Sequence, residues 1–283
     1  MLENVGVVGC GTMGEGIAQV CAQNGYNVKI YDIGSQRLRK CMANITNALQ
    51  QRVDKQKITK KEMDNTIKRL KIIENLGDLA DSDIVIEAVA EIMEVKQGLF
   101  KNLEEICSQE TIFATNTSSL SVISIASELE NPARLLGIHF FNPATAMKLV
   151  EIVKSIIVDE DVVKKASEFV KSLKKEIIYA KDTPGFIVNY LQYPFRLNAI
   201  RMLEQGKATA EEIDKAATLG LGHPMGPLQL QDLVGLDVTY NAVLAVYEET
   251  KDPAMAPPVL MKRMVEAGLL GRKTKKGFYY YSD

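Results

Sequence analysis

The sequence predicts an α/β domain with a mostly parallel sheet over residues 1–183, followed by an all-α domain over residues 184–283. Short β-rich runs alternate with helical patterns up to about residue 180, which is the signature of βαβ units. A glycine-rich turn directly follows the first of these runs. The β-rich runs stop at Lys181–Phe186 ("KDTPGF"), and only segments with helical spacing follow.

The first element is an apolar strand, Val5–Val8, that leads into Gly9-x-Gly11-x-x-Gly14 and then into a helical pattern. Gly9 permits the tight turn, Gly11 lets the backbone approach a pyrophosphate, and Gly14 allows close helix–strand packing. The helix N-terminus adds N–H groups and a positive dipole, both of which attract phosphate. With its flanking strand and helix, the motif predicts a dinucleotide site in a Rossmann-type domain.

The second strand, Val28–Tyr31, is followed by Asp32, eighteen residues beyond Gly14. A carboxylate at this place accepts hydrogen bonds from an adenosine ribose diol and repels a 2′-phosphate. The sequence therefore predicts NAD as the cofactor, with Asp32 disfavouring NADP without forbidding it.

A basic insertion precedes the next clear strand and is expected to form two helices. Residues 34–71 hold eleven Lys or Arg against three Asp or Glu, although the whole chain has a net charge of −2. Thr59 and Glu62 have capping-box spacing where the second helix should begin. The charge alone fits either a solvated helical hairpin or a docking face for an anionic ligand.

Three further strands are expected at Ile84–Glu87, Ile112–Ala114 and Leu135–Phe140. Ligands of open α/β sheets bind beyond the carboxyl ends of the strands. The polar side chains that follow these strands are therefore candidate cofactor contacts: Glu91, Lys96, Asn116, Ser118 and Asn142.

His139 is one of only two histidines, and Glu151 follows it twelve residues later inside a second strand-like run, Lys148–Val153. If the two runs lie side by side, residues twelve apart can face each other. Imidazole can remove a proton from an alcohol and return it near neutral pH, and a carboxylate on its other nitrogen orients it. The pair predicts a general base and its partner, while His223, in "GLGHPMGP", is interpreted as structural.

The second half should contain helices over four segments: Phe186–Glu204, Ala210–Ala217, Leu228–Thr250 and Pro258–Ala267. The composition predicts the class of protein. A content of 46% hydrophobic residues is typical of a globular protein. Four cysteines without C-x-x-C spacing predict a cytoplasmic protein without a metal site. The near-neutral charge and the lack of a long apolar run indicate no nucleic-acid or membrane partner.

Six segments together resemble the short-chain L-3-hydroxyacyl-CoA dehydrogenases: "VGVVGCGTMGEGIAQ", "NTSSL", "GIHFFNPATAMKLVEIV", "DTPGFIVNY", "GHPMGP" and "GLLGRKTKKGFYYY". The resemblance implies NAD-dependent, reversible oxidation of (S)-3-hydroxyacyl-CoA, with 3-hydroxybutyryl-CoA as the expected substrate, to the 3-oxoacyl-CoA. It also implies a homodimer through the helical domain and an active site between the domains.

Carried over by position, the resemblance makes His139 the catalytic base, Glu151 its partner, Ser118 a ligand of the reacting oxygen and Asn189 a neighbour of the thioester. Coenzyme A phosphates would meet Arg52 and Lys55 in the basic insertion. The implied cofactor contacts are Gly9, Cys10, Gly11, Thr12, Met13, Gly14, Asp32, Glu91, Lys96, Asn116, Ser118, Asn142 and Lys273.

Three other functions compete with this interpretation. A 3-hydroxyisobutyrate- or 6-phosphogluconate-type dehydrogenase would need a lysine in the first helix after the boundary, where Phe186–Glu204 has none. A sugar-acid 3-dehydrogenase would share the His–Glu pair, and only the basic insertion argues against it. A protein that binds NAD as a sensor or structural component would bind the cofactor without turnover.

Overall fold

The computed structural model describes residues 2–282, which divide into one compact unit ending at Thr183 and a second beginning at Pro184. The first unit is built around an eight-stranded sheet in the order β3-β2-β1-β4-β5-β6-β7-β8. Its strands are β1 (Asn4–Val8), β2 (Asn27–Tyr31), β3 (Leu70–Ile72), β4 (Ile84–Glu87), β5 (Ile112–Thr115), β6 (Leu135–Phe140), β7 (Leu149–Lys154) and β8 (Glu176–Lys181).

All neighbouring strands are parallel except β6 and β7, which pair in antiparallel fashion. The strand order reverses between β1 and β4, which is the switch point where doubly wound sheets bind ligands. The predicted fold class is therefore confirmed. The central strands are buried on both faces: all the residues of β4, β5 and β6 are buried.

Six helices cover this sheet: α1 (Thr12–Gln23), α2 (Ser35–Asp54), α3 (Lys60–Lys68), α4 (Met93–Ile106), α5 (Val122–Ala126) and α6 (Glu160–Ser172). The insertion consists of α2 and α3, as predicted, and Thr59 with Glu62 forms the expected capping box. Such a cap is worth about 1 kcal/mol to a helix. The insertion also contains β3, a three-residue edge strand that was not predicted.

The second unit is helical, with α7 (Val188–Glu204), α8 (Ala210–Lys215), α9 (Pro227–Val234), α10 (Leu236–Thr250) and α11 (Val259–Glu266). One π-helical turn, Ala216–Gly220, continues α8. The single helix expected over Leu228–Thr250 was wrong, because Gly235 adopts φ +103° and separates α9 from α10. That φ value strongly favours glycine and is incompatible with a continuous right-handed helix.

Each unit has its own hydrophobic core. In the first, Val7, Ile86 and Ile138 from the sheet are fully buried against α1 and its neighbours. In the second, Leu197, Leu228 and Val243 from three helices pack together. Among residues 2–282, no helix combines the length and the apolar character needed to cross a bilayer.

Candidate active site

The glycine loop joins β1 to α1 and leaves one side of its backbone open. A Cβ on Gly14 would lie 1.8 Å from the carbonyl oxygen of Gly9, and a Cβ on Gly9 would lie 2.5 Å from that of Ala88. A Cβ on Gly11, in contrast, would have no atom within 4 Å. Gly9 and Gly14 are thus fixed by packing, whereas Gly11 borders open space at the switch point of the sheet.

The first turn of α1 begins at this open glycine. Gly11 is the N-cap residue and has no side chain to satisfy the amides of Thr12, Met13 and Gly14. Free amides and the helix dipole together attract an anion at such an end. The cradle at Gly11 and these amides therefore fit the pyrophosphate of a dinucleotide.

Asp32 holds the glycine loop in place from the end of β2. Its carboxylate accepts hydrogen bonds from the backbone N–H of Cys10 at 2.9 Å and of Gly34 at 3.1 Å. The exposed guanidinium of Arg37 lies 3.8 Å from the same carboxylate. Asp32 thus sets the position of the loop, and its contact with the ribose of the cofactor stays a prediction.

Glu91 organises the loop that follows β5. One carboxylate oxygen accepts from the Thr117 hydroxyl at 2.6 Å and from the Ser118 backbone N–H at 2.9 Å, and the other pairs with Lys96 at 3.1 Å. Burial alone raises the pKa of Glu91, but the Lys96 charge and these hydrogen bonds outweigh it and lower the net value. Glu91 is therefore ionised at neutral pH and fixes the backbone that carries Ser118.

Lys96 is almost completely buried, with 1% of its side chain exposed. Its ammonium lies 2.6 Å from Glu87, a fully buried carboxylate whose second oxygen accepts from the Thr115 hydroxyl at 2.7 Å. A direct contact between Lys96 and NAD stays a prediction. The ion pairs of Lys96 with Glu87 and Glu91 hold the Glu91 carboxylate in place. Glu87 was not among the predicted site residues, although a charged residue at the end of the apolar run "IVIE" is a signal of a functional position.

His139 and Glu151 face each other across the antiparallel pair of β6 and β7. The ring Nδ1 lies 2.7 Å from a Glu151 carboxylate oxygen, and His139 and Glu151 are 6% and 0% exposed. Because an ionised carboxylate can only accept, Nδ1 is assigned as the donor of this hydrogen bond, which makes Nε2 the basic nitrogen of the neutral ring. The Phe141 ring flanks the imidazole with centroids 4.5 Å apart. The pair is thus an oriented acid–base unit.

Asn116 connects this unit to the neighbouring strand. Its side-chain oxygen accepts from the backbone N–H of Phe140 at 2.9 Å, next to His139 in the chain. Asn142 follows in the turn after β6. The structure therefore gathers Glu91, Asn116 and Ser118 beyond the ends of β4 and β5, next to the last residues of β6, where His139 lies. The cofactor contacts themselves stay predictions.

Four other predicted site residues lie on different elements. Arg52 is in the last turn of α2 and Lys55 caps its C-terminal end. In the second unit, Asn189 lies in the first turn of α7, and the Lys273 ammonium is 2.6 Å from Asp237. A further residue of that unit, His223, stacks on Phe195 with centroids 4.7 Å apart.

Comparison with known proteins covers both units. Residues 4–183 match the family model "3-hydroxyacyl-CoA dehydrogenase, NAD binding domain", and residues 185–281 match "3-hydroxyacyl-CoA dehydrogenase, C-terminal domain". A 3-hydroxybutyryl-CoA dehydrogenase of Mycobacterium tuberculosis is 42% identical over 99% of both chains.

Two further relatives extend the comparison. A 3-hydroxyadipyl-CoA dehydrogenase of Escherichia coli is 41% identical over 98% of this chain and 59% of its own length. The crystal structure of an (S)-3-hydroxybutyryl-CoA dehydrogenase from Ralstonia eutropha superposes with a TM-score of 0.97, at 38% identity and complete coverage of both chains.

Proposed function

The chain belongs to the 3-hydroxyacyl-CoA dehydrogenase family and is an NAD-dependent oxidoreductase, and from this premise we propose that it interconverts (S)-3-hydroxybutyryl-CoA and acetoacetyl-CoA. The observation that carries the proposal is the buried contact of 2.7 Å between His139 and Glu151. Bound NAD supplies the hydride acceptor of this chemistry. The four-carbon substrate is suggested by the names of the M. tuberculosis and R. eutropha relatives.

His139 acts as the general base in the oxidation of the alcohol. Its Nε2 takes the proton of the 3-hydroxyl group and returns it to the 3-oxygen in the reverse direction. Glu151 keeps the proton of the ring on Nδ1 and stabilises the imidazolium that results. Ser118, whose backbone is fixed by Glu91, donates its hydroxyl hydrogen to the same 3-oxygen.

The glycine loop and Asp32 bind the cofactor. The pyrophosphate lies against Gly11 and the first-turn amides of α1, and the Asp32 carboxylate accepts from the ribose hydroxyls. The same negative charge disfavours NADP. Glu91, Lys96, Asn116, Asn142 and Lys273 complete the proposed cofactor site.

The basic hairpin of α2 and α3 binds coenzyme A. Residues 34–71, which include both helices, hold eleven basic and three acidic residues in a chain with net charge −2, so the positive charge is local. Arg52 and Lys55, at the end of α2, meet the phosphates of coenzyme A, while Asn189 of α7 binds near the thioester. This hairpin is the feature that favours a coenzyme A ester over a free sugar acid.

The second unit forms the interface of a homodimer. Leu191 on α7, Leu233 on α9 and Val238 on α10 are 73%, 48% and 53% exposed. A contiguous exposed apolar patch marks a protein-interaction surface, and we expect these three side chains to belong to one. Sedimentation equilibrium should therefore give twice the chain mass of 31.3 kDa.

The activity is tested by following NADH absorbance with acetoacetyl-CoA and with free acetoacetate. Rapid oxidation is expected with the thioester and little with the free acid. His139→Gln should lower kcat by about 10²–10⁴-fold, because a general acid–base is removed, while NADH binding is retained. Failure of the folded, NADH-binding protein to reduce the thioester would refute the substrate and favour a sugar-acid 3-dehydrogenase.

A further inference from the structure

Three charged side chains, Glu87, Lys96 and Glu91, form a cluster beyond the carboxyl end of β4. The Lys96 ammonium lies between the two carboxylates, 2.6 Å from Glu87 and 3.1 Å from Glu91. Lys96 and Glu87 are 1% and 0% exposed, whereas 37% of the Glu91 side chain is exposed. Within residues 2–282 these are the ion pairs of Lys96, so two negative charges and one positive charge give the cluster a net charge of −1.

The Glu87 carboxylate is surrounded by hydrogen-bond donors. One oxygen accepts from the Lys96 ammonium at 2.6 Å and from the backbone N–H of Val89 at 2.8 Å. The other oxygen accepts from the Thr115 hydroxyl at 2.7 Å, and this set of donors fits an ionised carboxylate, which can only accept. Because Glu91 alone would balance Lys96, and a second buried carboxylate costs solvation energy, the stability of the fold does not explain the extra negative charge.

The buried end of the cluster lies next to the glycine loop of the first unit. In the sheet, Glu87 pairs with Val8, the last residue before that loop. A Cβ on Gly9 would lie 2.5 Å from the carbonyl oxygen of Ala88, the residue after Glu87. The charge of the cluster therefore acts on the same part of the sheet where the cofactor is proposed to bind.

The exposed end of the cluster lies close to the proposed place of hydride transfer. Glu91 accepts from the backbone N–H of Ser118 at 2.9 Å, and the Ser118 hydroxyl is proposed to bind the 3-oxygen of the substrate. The nicotinamide ring has to lie next to the carbon that carries this oxygen, because hydride passes directly between the two. The ring has one positive charge in NAD⁺ and none in NADH, so a nearby net charge distinguishes the two forms.

We propose that Glu87, by giving this cluster its net negative charge, raises the affinity of the site for NAD⁺ relative to NADH. The inference rests on the proposed role of Ser118 at the reacting oxygen. Two unit charges about 10 Å apart change an equilibrium constant by about 2-fold in water and by about 15-fold at an effective dielectric constant of about 20. Glu87 thus determines specificity for the oxidation state of the cofactor from a fully buried position.

The substitution Glu87→Gln removes this charge and keeps the shape of the side chain. The amide oxygen can accept from Lys96 and Val89, and the amide nitrogen can donate to the Thr115 hydroxyl oxygen. Dissociation constants are measured at pH 8, for NADH by fluorescence and for NAD⁺ by competition with NADH. We expect the ratio of the NAD⁺ constant to the NADH constant to rise about 2-fold to 15-fold. Glu105→Gln, the same change at an exposed position near the opposite end of α4, should leave this ratio unchanged.

Two variants of Lys96 test the sign of the effect. Lys96→Met alone leaves two carboxylates and a net charge of −2, so the ratio should fall below the parent value. Adding Glu87→Gln to Lys96→Met removes both fully buried charges and leaves Glu91, which restores a net charge of −1. The ratio should then return to the parent value, even if the affinities for both forms decrease together.

A purely structural role of Glu87 predicts a different result. Glu87→Gln would then weaken the binding of NAD⁺ and NADH equally, and an unchanged ratio would overturn the inference. A rise of the ratio in Lys96→Met, or an altered ratio that persists in the double variant, would overturn it as well. If the parent protein bound both forms of the cofactor but did not reduce acetoacetyl-CoA, the proposed role of Ser118 would be removed, and the inference with it.

Discussion

The charge on Glu151 should contribute measurably to the rate, and Glu151→Gln removes it without changing the side-chain shape. The carboxylate lies 2.7 Å from Nδ1 of His139 and is fully buried. An amide oxygen can still accept from Nδ1–H, but replacing a charged by a neutral hydrogen bond costs about 1–2 kcal/mol. Charges about 4 Å apart at an effective dielectric of about 20 attract by about 4 kcal/mol, which sets the upper limit once the ring is protonated.

These two limits predict a decrease in kcat between about 10-fold and 10³-fold. The assay is acetoacetyl-CoA reduction at saturating NADH, with NADH affinity measured separately by fluorescence. Glu176→Gln is the matched control, because Glu176 is an exposed carboxylate on the adjacent strand β8. The reasoning fails if Glu151→Gln, correctly folded, keeps kcat within about threefold of the parent protein.

Three further predictions address the glycine loop, Asp32 and Glu91. Gly11→Ala should fold normally yet weaken NADH binding about 10-fold or more, because its Cβ enters the space proposed for the pyrophosphate. Gly14→Ala should instead lower Tm, because its Cβ would lie 1.8 Å from the Gly9 oxygen. Asp32→Ser should raise the ratio of kcat/KM for NADPH to that for NADH about 10-fold, since the charge that repels a 2′-phosphate is gone. Because the pKa of Glu91 is lowered from 4.5, its contribution to folding is fully present above about pH 5 and is lost as the pH falls further. Urea unfolding of Glu91→Gln between pH 7 and pH 4 should therefore show a shallower loss of stability than the parent protein.

For each of these predictions, one experimental outcome would contradict it. Unchanged NADH affinity in Gly11→Ala would mean that the open side of the loop does not receive the cofactor. An NADPH preference unaffected by Asp32→Ser would assign cofactor selection to other groups. If the free energy of unfolding falls equally with decreasing pH in Glu91→Gln and in the parent protein, the lowered pKa of Glu91 does not contribute to stability.

The parts of the site that sequence could predict are those in which spacing alone fixes geometry. The glycine spacing around Gly11 determines a strand–turn–helix unit, and the twelve-residue separation of His139 and Glu151 suits two adjacent strands. Contacts that depend on which side chains become buried could not be predicted from the sequence. Glu87 looks like an ordinary charged residue in the sequence and Lys96 was predicted only as a cofactor contact, because the buried ion pair between them depends on how α4 packs on the sheet.

Short or interrupted elements were missed for a related reason. Strand β3, Leu70–Ile72, is three residues long and one of them is an exposed lysine, so no period can be recognised. The break between α9 and α10 depends on Gly235, and an isolated glycine is tolerated within many helices. The burial of Arg196 in α7 could not be predicted either, since a basic residue in a helix is usually solvated; it is 5% exposed because α9 and α10 cover it with Gln231 and Thr239.

The antiparallel register of β6 and β7 makes the His139–Glu151 pair robust to one kind of genetic change and vulnerable to another. Insertions or deletions in residues 144–148, beyond the proposed cofactor contact Asn142, leave the cross-strand pairing of the two side chains intact, because the ladder and not the loop sets their distance. Loss of a single codon within β7 shifts the residues on one side of it by one position in the ladder, and a shift that includes Glu151 turns its carboxylate to the opposite face of the sheet. Among related chains, length variation should therefore concentrate in that connection and be absent from the few codons on either side of it.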